Sequence, residues 1–194
     1  MNQLILRLLT AAAIAFGALA ASAQPVELEG VKLEPTAQVA GAPLQLNGAG
    51  VRTRAIFKVY VAGLYVPQKA KDAATLLAQK GPRRMSITML RNVDADSFAG
   101  ALNDGLKNNH TEAQFAAFKA QIDALNANLK AVGEAKKGDV INFEYLPEAG
   151  TRITVNGQPR GTTIPGEDFF TAVLRVWLGD KPADAGLKKG LLGG

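Results

Sequence analysis

Residues 46–67, LNGAGVRTRAIFKVYVAGLYVP, contain the strongest strand pattern of the chain. From Ile56 to Val66 most residues are β-branched, aromatic or otherwise apolar, which is typical of a strand. Two arginines, Arg52 and Arg54, precede this run. In an uninterrupted strand both would lie on the face that also carries Ile56, Lys58 and Tyr60. If helices cover that face, the arginines require an anion, and a planar guanidinium suits a carboxylate.

Further strand patterns lie on both sides of this stretch. They are Val26–Leu33, Leu44–Leu46, Arg84–Leu90, Val140–Tyr145, Arg152–Val155 and Gln158–Ile164. Between Arg84 and Leu90 apolar and polar residues alternate, which indicates one buried face. Asn156-Gly157 is the strongest hairpin signal and predicts that the last two strands pair. Gly48-Ala49-Gly50 is followed by a strand rather than a helix, so it does not predict a phosphate-binding loop.

Helix patterns occupy the middle and the end of the chain. We predict helices at Ala70–Gln79, after Asp94, at Thr111–Leu129 and at Glu167–Leu178, and a short capped turn at Asp184–Leu192. The helix over 111–129 opens with a capping box of Thr111 and Gln114 and continues as an apolar seam. Separate blocks of strands and helices, joined by hairpins, predict the α+β class with an antiparallel sheet covered by helices.

The N-terminus has the three parts of a cleavable secretory signal: Arg7, the apolar run Leu8–Ala20, and Ala21-Ser22-Ala23. We predict a signal peptide at 1–23 and one domain at 24–194, since about 170 residues suit a single core. A membrane span needs about 20 apolar residues, so no transmembrane segment is expected in the mature chain. The chain has no cysteine, and the signal indicates the periplasm of a Gram-negative cell.

Composition argues against several functional classes. The net charge of +5 comes from scattered basic residues without interleaved aromatic residues, so we expect no nucleic-acid partner. His110 is the single histidine, which argues against a zinc enzyme or a histidine-dependent hydrolase. Asp94 and Asp96, like Glu167 and Asp168, stand at predicted helix starts, where the helix dipole explains acidic residues. No metal and no cofactor is expected, and protein partners stay open.

Three stretches carry a resemblance to a known family. They are NGAGVRTRAIFKVYVAGLYV (residues 47–66), RRMSITMLRNVDADSF (83–98) and FFTAVLRVWLGDKPADAGLKKGLLG (169–193). With them the chain resembles the chalcone isomerase family, specifically its bacterial exported chalcone isomerase-like branch, over roughly residues 31–192. The resemblance implies an open-faced β-sandwich, in which helices cover one face of a large antiparallel sheet and leave a ligand cleft between the layers.

The resemblance also implies which side chains surround a ligand. Arg52 matches the arginine that holds the substrate oxyanion in plant chalcone isomerases, and Tyr60 stands at the position of a catalytic threonine. Phe98 stands where the enzymes have a catalytic tyrosine, and Val176 stands where they have threonine or serine. Most of the polar partners of the enzymes are therefore replaced, which favours a protein without isomerase activity.

The last polar partner of the enzymes, an asparagine, falls near Gly105, with Asn103 close to it in a shifted register. This pattern resembles the non-catalytic fatty-acid-binding branch of the family, in which the arginine and a tyrosine clamp a carboxylate and the tail lies in an apolar cleft. Arg52 and Tyr60 are the matching pair. We therefore expect a binding protein for a fatty acid or similar amphipathic carboxylate. An isomerase of the chalcone type and an interaction protein with a vestigial cleft are the alternatives.

The distance between Arg52 and Tyr60 decides whether this site exists. Eight residues of straight strand span about 26 Å, so the chain must turn between them. Residues 53–57 contain neither glycine nor asparagine, so the hairpin is shortened, or Arg54 replaces Arg52, or the site is lost. Pairing of Arg52 with an internal acid such as Glu144 would favour the interaction protein. The candidate ligand-binding residues are Arg52, Arg54, Tyr60, Phe98, Asn103 and Val176.

Overall fold

The computed structural model describes residues 24–194, and the predicted signal segment, residues 1–23, lies outside them. The strands are β1 (Val26–Leu28), β2 (Val31–Leu33), β3 (Thr36–Val39), β4 (Ala42–Arg54), β5 (Phe57–Val66), β6 (Arg83–Met89), β7 (Val93–Asp94), β8 (Glu134–Ala135), β9 (Val140–Leu146), β10 (Gly150–Val155) and β11 (Gln158–Ile164). The helices are α1 (Ala73–Ala78), α2 (Ala95–Asn108), α3 (Glu112–Ala117), α4 (Lys119–Lys130), α5 (Glu167–Leu178) and α6 (Ala185–Leu191). None of these helices is long and apolar enough to cross a membrane.

Seven strands form the main sheet in the order β11-β10-β9-β6-β5-β4-β3. Every neighbouring pair is antiparallel. The predicted hairpin at Asn156-Gly157 joins β10 to β11, and both turn residues have positive φ, as a two-residue turn of this kind requires. The connection from β6 to β9 carries α2, α3 and α4 along the sheet. The prediction of an α+β fold built on an antiparallel sheet is confirmed.

One face of the sheet packs against the helices and forms the main core. On β6, Met85, Ile87 and Met89 point into this core and are almost fully buried, while the residues between them are half-buried. From the helix layer, Trp177 of α5 packs on Phe143 of the neighbouring strand β9, with ring centroids 5.8 Å apart. Burying a large apolar side chain contributes about 1.5–3 kcal/mol, so this layer holds the helices on the sheet.

The opposite face carries a row of charges across three strands. Glu144 on β9 is 2% exposed and lies between Arg84 on β6 and Arg152 on β10, its register neighbours. Arg84 Nε donates to one carboxylate oxygen at 2.8 Å, and Arg152 Nε donates to the other at 3.0 Å. Two guanidinium groups therefore satisfy the buried carboxylate. Glu144 is not the partner of Arg52.

Strand β4 runs far beyond the predicted Leu44–Leu46 and includes Gly48 and Gly50. Helix α6 packs directly on this part of the strand. A Cβ atom on Gly48 would overlap the carbonyl oxygen of Gly190, and one on Gly50 would lie 3.0 Å from the Leu187 side chain. A strand boundary at these glycines is therefore a wrong prediction, because glycine here permits close backbone approach and does not end the strand.

The helix predicted over 111–129 is instead two helices, α3 and α4, which meet at Phe118. This residue has φ −92° and ψ 10°, and its ring packs against Phe169 of α5 with centroids 5.7 Å apart. The apolar seam continues across the break, so periodicity alone did not reveal it. The predicted capping box is confirmed: Gln114 N–H donates to the Thr111 hydroxyl, and Thr111 N–H donates to the Gln114 side chain.

The close packing of α6 on β4 predicts a large difference between two glycine substitutions. Gly48→Ala should lower the free energy of unfolding by about 1–3 kcal/mol, because its Cβ meets backbone that cannot rotate away. Gly100→Ala, inside α2 with open space around its Cβ, should raise that free energy by about 0.5–1 kcal/mol. Urea denaturation of both variants measures this difference. Equal stability of the two variants would contradict the packing.

Candidate functional site

A two-residue turn brings Arg52 and Tyr60 together. Ala55 and Ile56 connect β4 to β5, and the register places Arg52 directly opposite Tyr60. Ala55 adopts φ +53°, which is why the turn forms without glycine or asparagine. A bulge next to Arg52 allows both Val59 and Tyr60 to join the core on the helix side. Of the three outcomes left open by the sequence, the structure has the shortened hairpin.

A hydrogen bond from the helix layer fixes the Tyr60 side chain. Trp177 Nε1 of α5 donates a hydrogen bond of 2.8 Å to the Tyr60 hydroxyl oxygen. Both residues are almost fully buried. Burial raises the pKa of Tyr60 above its ordinary value of 10.0, although the nearby Arg52 charge opposes this shift. The phenol is therefore neutral at physiological pH and keeps its proton for donation.

Arg52 lies against the Tyr60 ring, and one of its guanidinium donors has no hydrogen-bond partner among the described residues. Its Cζ atom is 5.5 Å from the centroid of the Tyr60 ring, within reach of a cation–π interaction. Its Nε atom is sealed from solvent and has no hydrogen-bond partner among the described residues. The nearby Asp184 carboxylate accepts instead from the backbone N–H groups of Thr53 and Leu187, at 2.9 and 2.8 Å. A buried, unpaired guanidinium donor is costly unless an anion binds it.

Three spaces meet at Arg52. The first is a small internal cavity of about 10 Å³, lined by Arg52, Tyr60, Phe98, Leu102, Val176 and Trp177. The second, which we call the hairpin groove, has about 360 Å³ and is lined by Arg54, Phe57, Val59, Val93, Phe98 and Ala101, together with Arg52. The third, the polar groove, has about 480 Å³ and is lined by Arg54, Ser97, Asp104, Asn108 and Lys181, again with Arg52. Arg52 and Ala101 contribute to all three spaces.

The predicted site residues separate into two groups. Arg52, Arg54, Tyr60, Phe98 and Val176 line these spaces. Asn103 does not: its amide Nδ2 donates to Asn126 of α4 at 2.9 Å, so it joins two helices.

The interior between α2 and α5 is closed at the positions where the plant enzymes have polar residues. A Cβ atom on Gly105 would lie only 2.6 Å from Val176 Cγ1, so the two helices touch there. The Phe98 side chain lines the small cavity beside Tyr60. A cavity of about 10 Å³ holds about one water molecule. The closed interior therefore has room for about one atom of a ligand head group and none for a tail.

Three residues that the sequence reasoning did not select take part in the site. Trp177 positions the Tyr60 hydroxyl, Ala101 stands where the three spaces meet, and Arg91 covers the Phe57 ring at 4.6 Å from its centroid. Ala101 lies three residues after Phe98, so helical periodicity places both on one face of α2. Trp177 and Arg91 lie within the quoted family stretches, but nothing in those stretches indicates their contacts.

Three other ionisable residues that the sequence singled out have structural partners. Asp94 caps α2, and the Ser97 N–H group holds the pKa of its carboxyl below the ordinary value. Glu167 pairs with the buried Arg83 at 2.8 Å. His110 Nδ1 lies 2.8 Å from the Leu106 carbonyl oxygen. Among residues 24–194 there is no cluster of three histidine, cysteine or acidic side chains arranged to hold a metal ion.

The fold and the site together define an open-faced β-sandwich with an arginine and a tyrosine facing its helix layer. The family model described as chalcone isomerase-like matches residues 25–193, so the chain belongs to that family, as the resemblance predicted. A crystal structure of a fatty-acid binding protein from Arabidopsis thaliana has a similar fold, with a TM-score of 0.66 and 12% identity over 87% of this chain and 96% of that chain. At this identity the similarity shows the fold alone. No curated protein matches the sequence significantly.

Burial of Tyr60 predicts a pH dependence. Because the folded state holds the phenol proton more tightly than the unfolded state, the contribution of Tyr60 to stability is complete below about pH 10 and is lost as the pH rises through the folded pKa. As the pH rises above 10, the free energy of unfolding of Tyr60→Phe should therefore decrease less than that of the wild type. At neutral pH it should be about 1–2 kcal/mol less stable, because Trp177 Nε1 loses its acceptor. Urea denaturation across this pH range measures both effects.

The matched control is Tyr65→Phe. Burial also raises the pKa of Tyr65, but its hydroxyl donates to the Glu34 carbonyl oxygen, away from Trp177. Ultraviolet titration of tyrosinate should show Tyr60 among the last groups to ionise, with this step missing only in Tyr60→Phe. Ionisation of Tyr60 near pH 10 in the folded protein would contradict its burial.

Proposed function

We propose that this chain is a binding protein for a fatty acid or a similar amphipathic carboxylate. The observation that carries this proposal is the Arg52 guanidinium, whose Nε is buried and has no partner among the described residues. Unpaired buried donors are rare in proteins unless a ligand or water satisfies them. A carboxylate matches the arginine in charge and shape and forms hydrogen bonds stronger than those of neutral groups.

Tyr60 supports a carboxylate as the head group. Its oxygen accepts from Trp177, so its own hydrogen is available for a ligand oxygen. The internal cavity beside it has the size of about one water molecule, so one carboxylate oxygen can occupy it between Arg52 and Tyr60. The head group then has two fixed donors from neighbouring strands.

The hairpin groove is the space available for the tail. Its volume of about 360 Å³ falls within the range of about 300–1,000 Å³ that small-molecule sites occupy. Phe57, Val59 and Val93 give it an apolar lining that begins at Arg52. A ligand bound in this way would place its charged end on Arg52 and its apolar end along the outside of the sheet-helix cleft.

The chemistry of the site favours binding over isomerisation. Phe98 and Val176 line the space beside Arg52 but offer neither a proton donor nor a base. Gly105 contacts Val176 and contributes no side chain. Arg52 and Tyr60 can hold an anion, but ring closure of a chalcone would require the polar groups that are missing here. We propose that the protein is not catalytic.

Replacing Arg52 tests the binding proposal. Arg52→Gln should weaken binding of a long-chain fatty acid such as palmitate by about tenfold to a hundredfold, since charged hydrogen bonds contribute roughly 1.5–3 kcal/mol. The full chain is expressed in a Gram-negative host. Native mass spectrometry then detects lipid that copurifies with it, and calorimetry measures the affinity after the lipid is removed. Arg52→Lys should recover only part of the affinity, because an ammonium group cannot donate as a planar fork.

Two further variants make this test specific. Arg54→Gln removes a charge from the same grooves but from an exposed side chain, so it should change affinity less than about threefold. Ala101→Phe should block binding without changing any charge, whereas Ala117→Phe, in a groove beside Phe118, should not. Equal losses in Arg52→Gln and Arg54→Gln would indicate unspecific attraction of anions. A lipid-free wild type with no measurable affinity would refute the binding proposal.

We also propose that the protein is exported to the periplasm and that residues 1–23 are removed. The arginine, apolar run and small residues of this segment support the proposal. Protein isolated from the periplasmic fraction should have the intact mass of residues 24–194 and begin at Gln24. Recovery in the cytoplasm with residues 1–23 attached would refute it.

A further inference from the structure

The turn between β4 and β5 exposes large apolar side chains. Ile56 is 85% exposed and Phe57 is 53% exposed. Val26, at 38%, is the only other large apolar residue among residues 24–194 that is exposed. Most exposed apolar residues occur singly, but these two are adjacent and stand at the tip of a hairpin. Nothing in the packing of the hairpin requires an isoleucine at the tip.

Basic side chains lie beside this tip. Arg54 is the register partner of Phe57, and the Arg91 guanidinium lies 4.6 Å from the centroid of the Phe57 ring. Lys58 follows in the chain and pairs with Glu29 at 2.8 Å.

The hairpin groove beside the tip is also positively charged. It is lined by three arginines, including Arg52, and one aspartate, Asp94. The Asp94 carboxylate already accepts from the Ser97 N–H group. The tip is therefore an apolar point next to a cationic surface.

We propose that this hairpin tip docks onto an anionic phospholipid bilayer. Ile56 and Phe57 enter the interfacial region of the bilayer, and Arg54 and Arg91 contact lipid phosphates. Apolar side chains next to basic residues are the combination by which peripheral proteins bind anionic membranes. The apolar and cationic groups reach the same surface because they lie on the same hairpin and on the loop after β6.

The size and charge of the tip favour a bilayer over a protein. A stable protein interface buries about 800 Å² on each side and involves about 20–30 residues, far more than the tip of one hairpin presents. A second copy docked tip to tip would bring Arg54 and Arg91 against the same arginines of its partner, and like charges would repel. A bilayer needs only a few inserted side chains and supplies phosphates for the arginines.

Docking would also orient the site. The hairpin groove begins at the tip, since Phe57 and Arg54 line it, so its opening would face the lipid. Transfer of a carboxylate between the bilayer and Arg52 would rest on the proposed function. Docking itself does not, because it requires only the tip and its charges.

Vesicle cosedimentation of the protein purified after export tests this proposal. The vesicles are phosphatidylcholine alone, or phosphatidylcholine with roughly a third phosphatidylglycerol, at low and at physiological salt. The wild type should bind the anionic vesicles and bind less at the higher salt. Ile56→Asp should reduce binding at least about tenfold, because it places a negative charge at the point of insertion. Val26→Asp, an exposed apolar site elsewhere, should bind like the wild type.

Fatty-acid binding without vesicles separates this proposal from the proposed function. Ile56 does not line the grooves, so Ile56→Asp should bind palmitate like the wild type while losing vesicle binding. The docking proposal is overturned if the wild type binds no vesicles, or if it binds neutral and anionic vesicles equally. It is also overturned if Ile56→Asp binds anionic vesicles like the wild type. Sedimentation that shows a wild-type dimer dissociated by Ile56→Asp would identify a second copy as the occupant. Crosslinking of position 56 to another periplasmic protein, without vesicle binding, would identify a protein partner.

Discussion

The hydrogen bond from Trp177 to the Tyr60 hydroxyl links the two layers of this protein at the point where the candidate site lies. It fixes the phenol within reach of Arg52. It uses the only side-chain donor of the indole and one acceptor position of the tyrosine oxygen, so the phenol hydrogen is left for another acceptor. Arg52 lies opposite Tyr60 because the turn at Ala55 and Ile56 sets the pairing of β4 with β5. A change in the turn would alter the register that places Arg52 opposite Tyr60, and loss of the indole would remove the group that holds the phenol.

The class of the fold could be predicted from local patterns because these patterns and the tertiary structure agree. Alternation in β6 and the Asn156-Gly157 turn are such cases. The extent of β4 could not be predicted, because Gly48 and Gly50 serve a contact with α6, more than a hundred residues later in the chain. The break between α3 and α4 at Phe118 could not be predicted either, since the apolar seam continues on both sides of it.

The candidate site was only partly predictable for a related reason. The family resemblance identified Arg52 and Tyr60, but their contact depends on Ala55 adopting a positive φ, which alanine seldom does and which the sequence does not signal. Asn103 was selected by its nearness to the position of Gly105, yet it lies two residues before Gly105 and therefore on another face of α2, where its amide donates to Asn126. Trp177 was not selected because a tryptophan in an apolar helix is usually core, and here it is both core and the support of the site.

The closed interior changes what the site can select. Where a tail is enclosed between helices and sheet, its length is limited by the cavity that surrounds it. Here Gly105 and Val176 bring α2 and α5 into contact, so the enclosed space ends after about one atom of a head group. For the proposed binding protein, selectivity comes from the charge and shape of the head group at Arg52, while the open hairpin groove tolerates tails of different length. An open groove leaves part of a bound tail in water, and this cost falls when the groove faces a lipid surface.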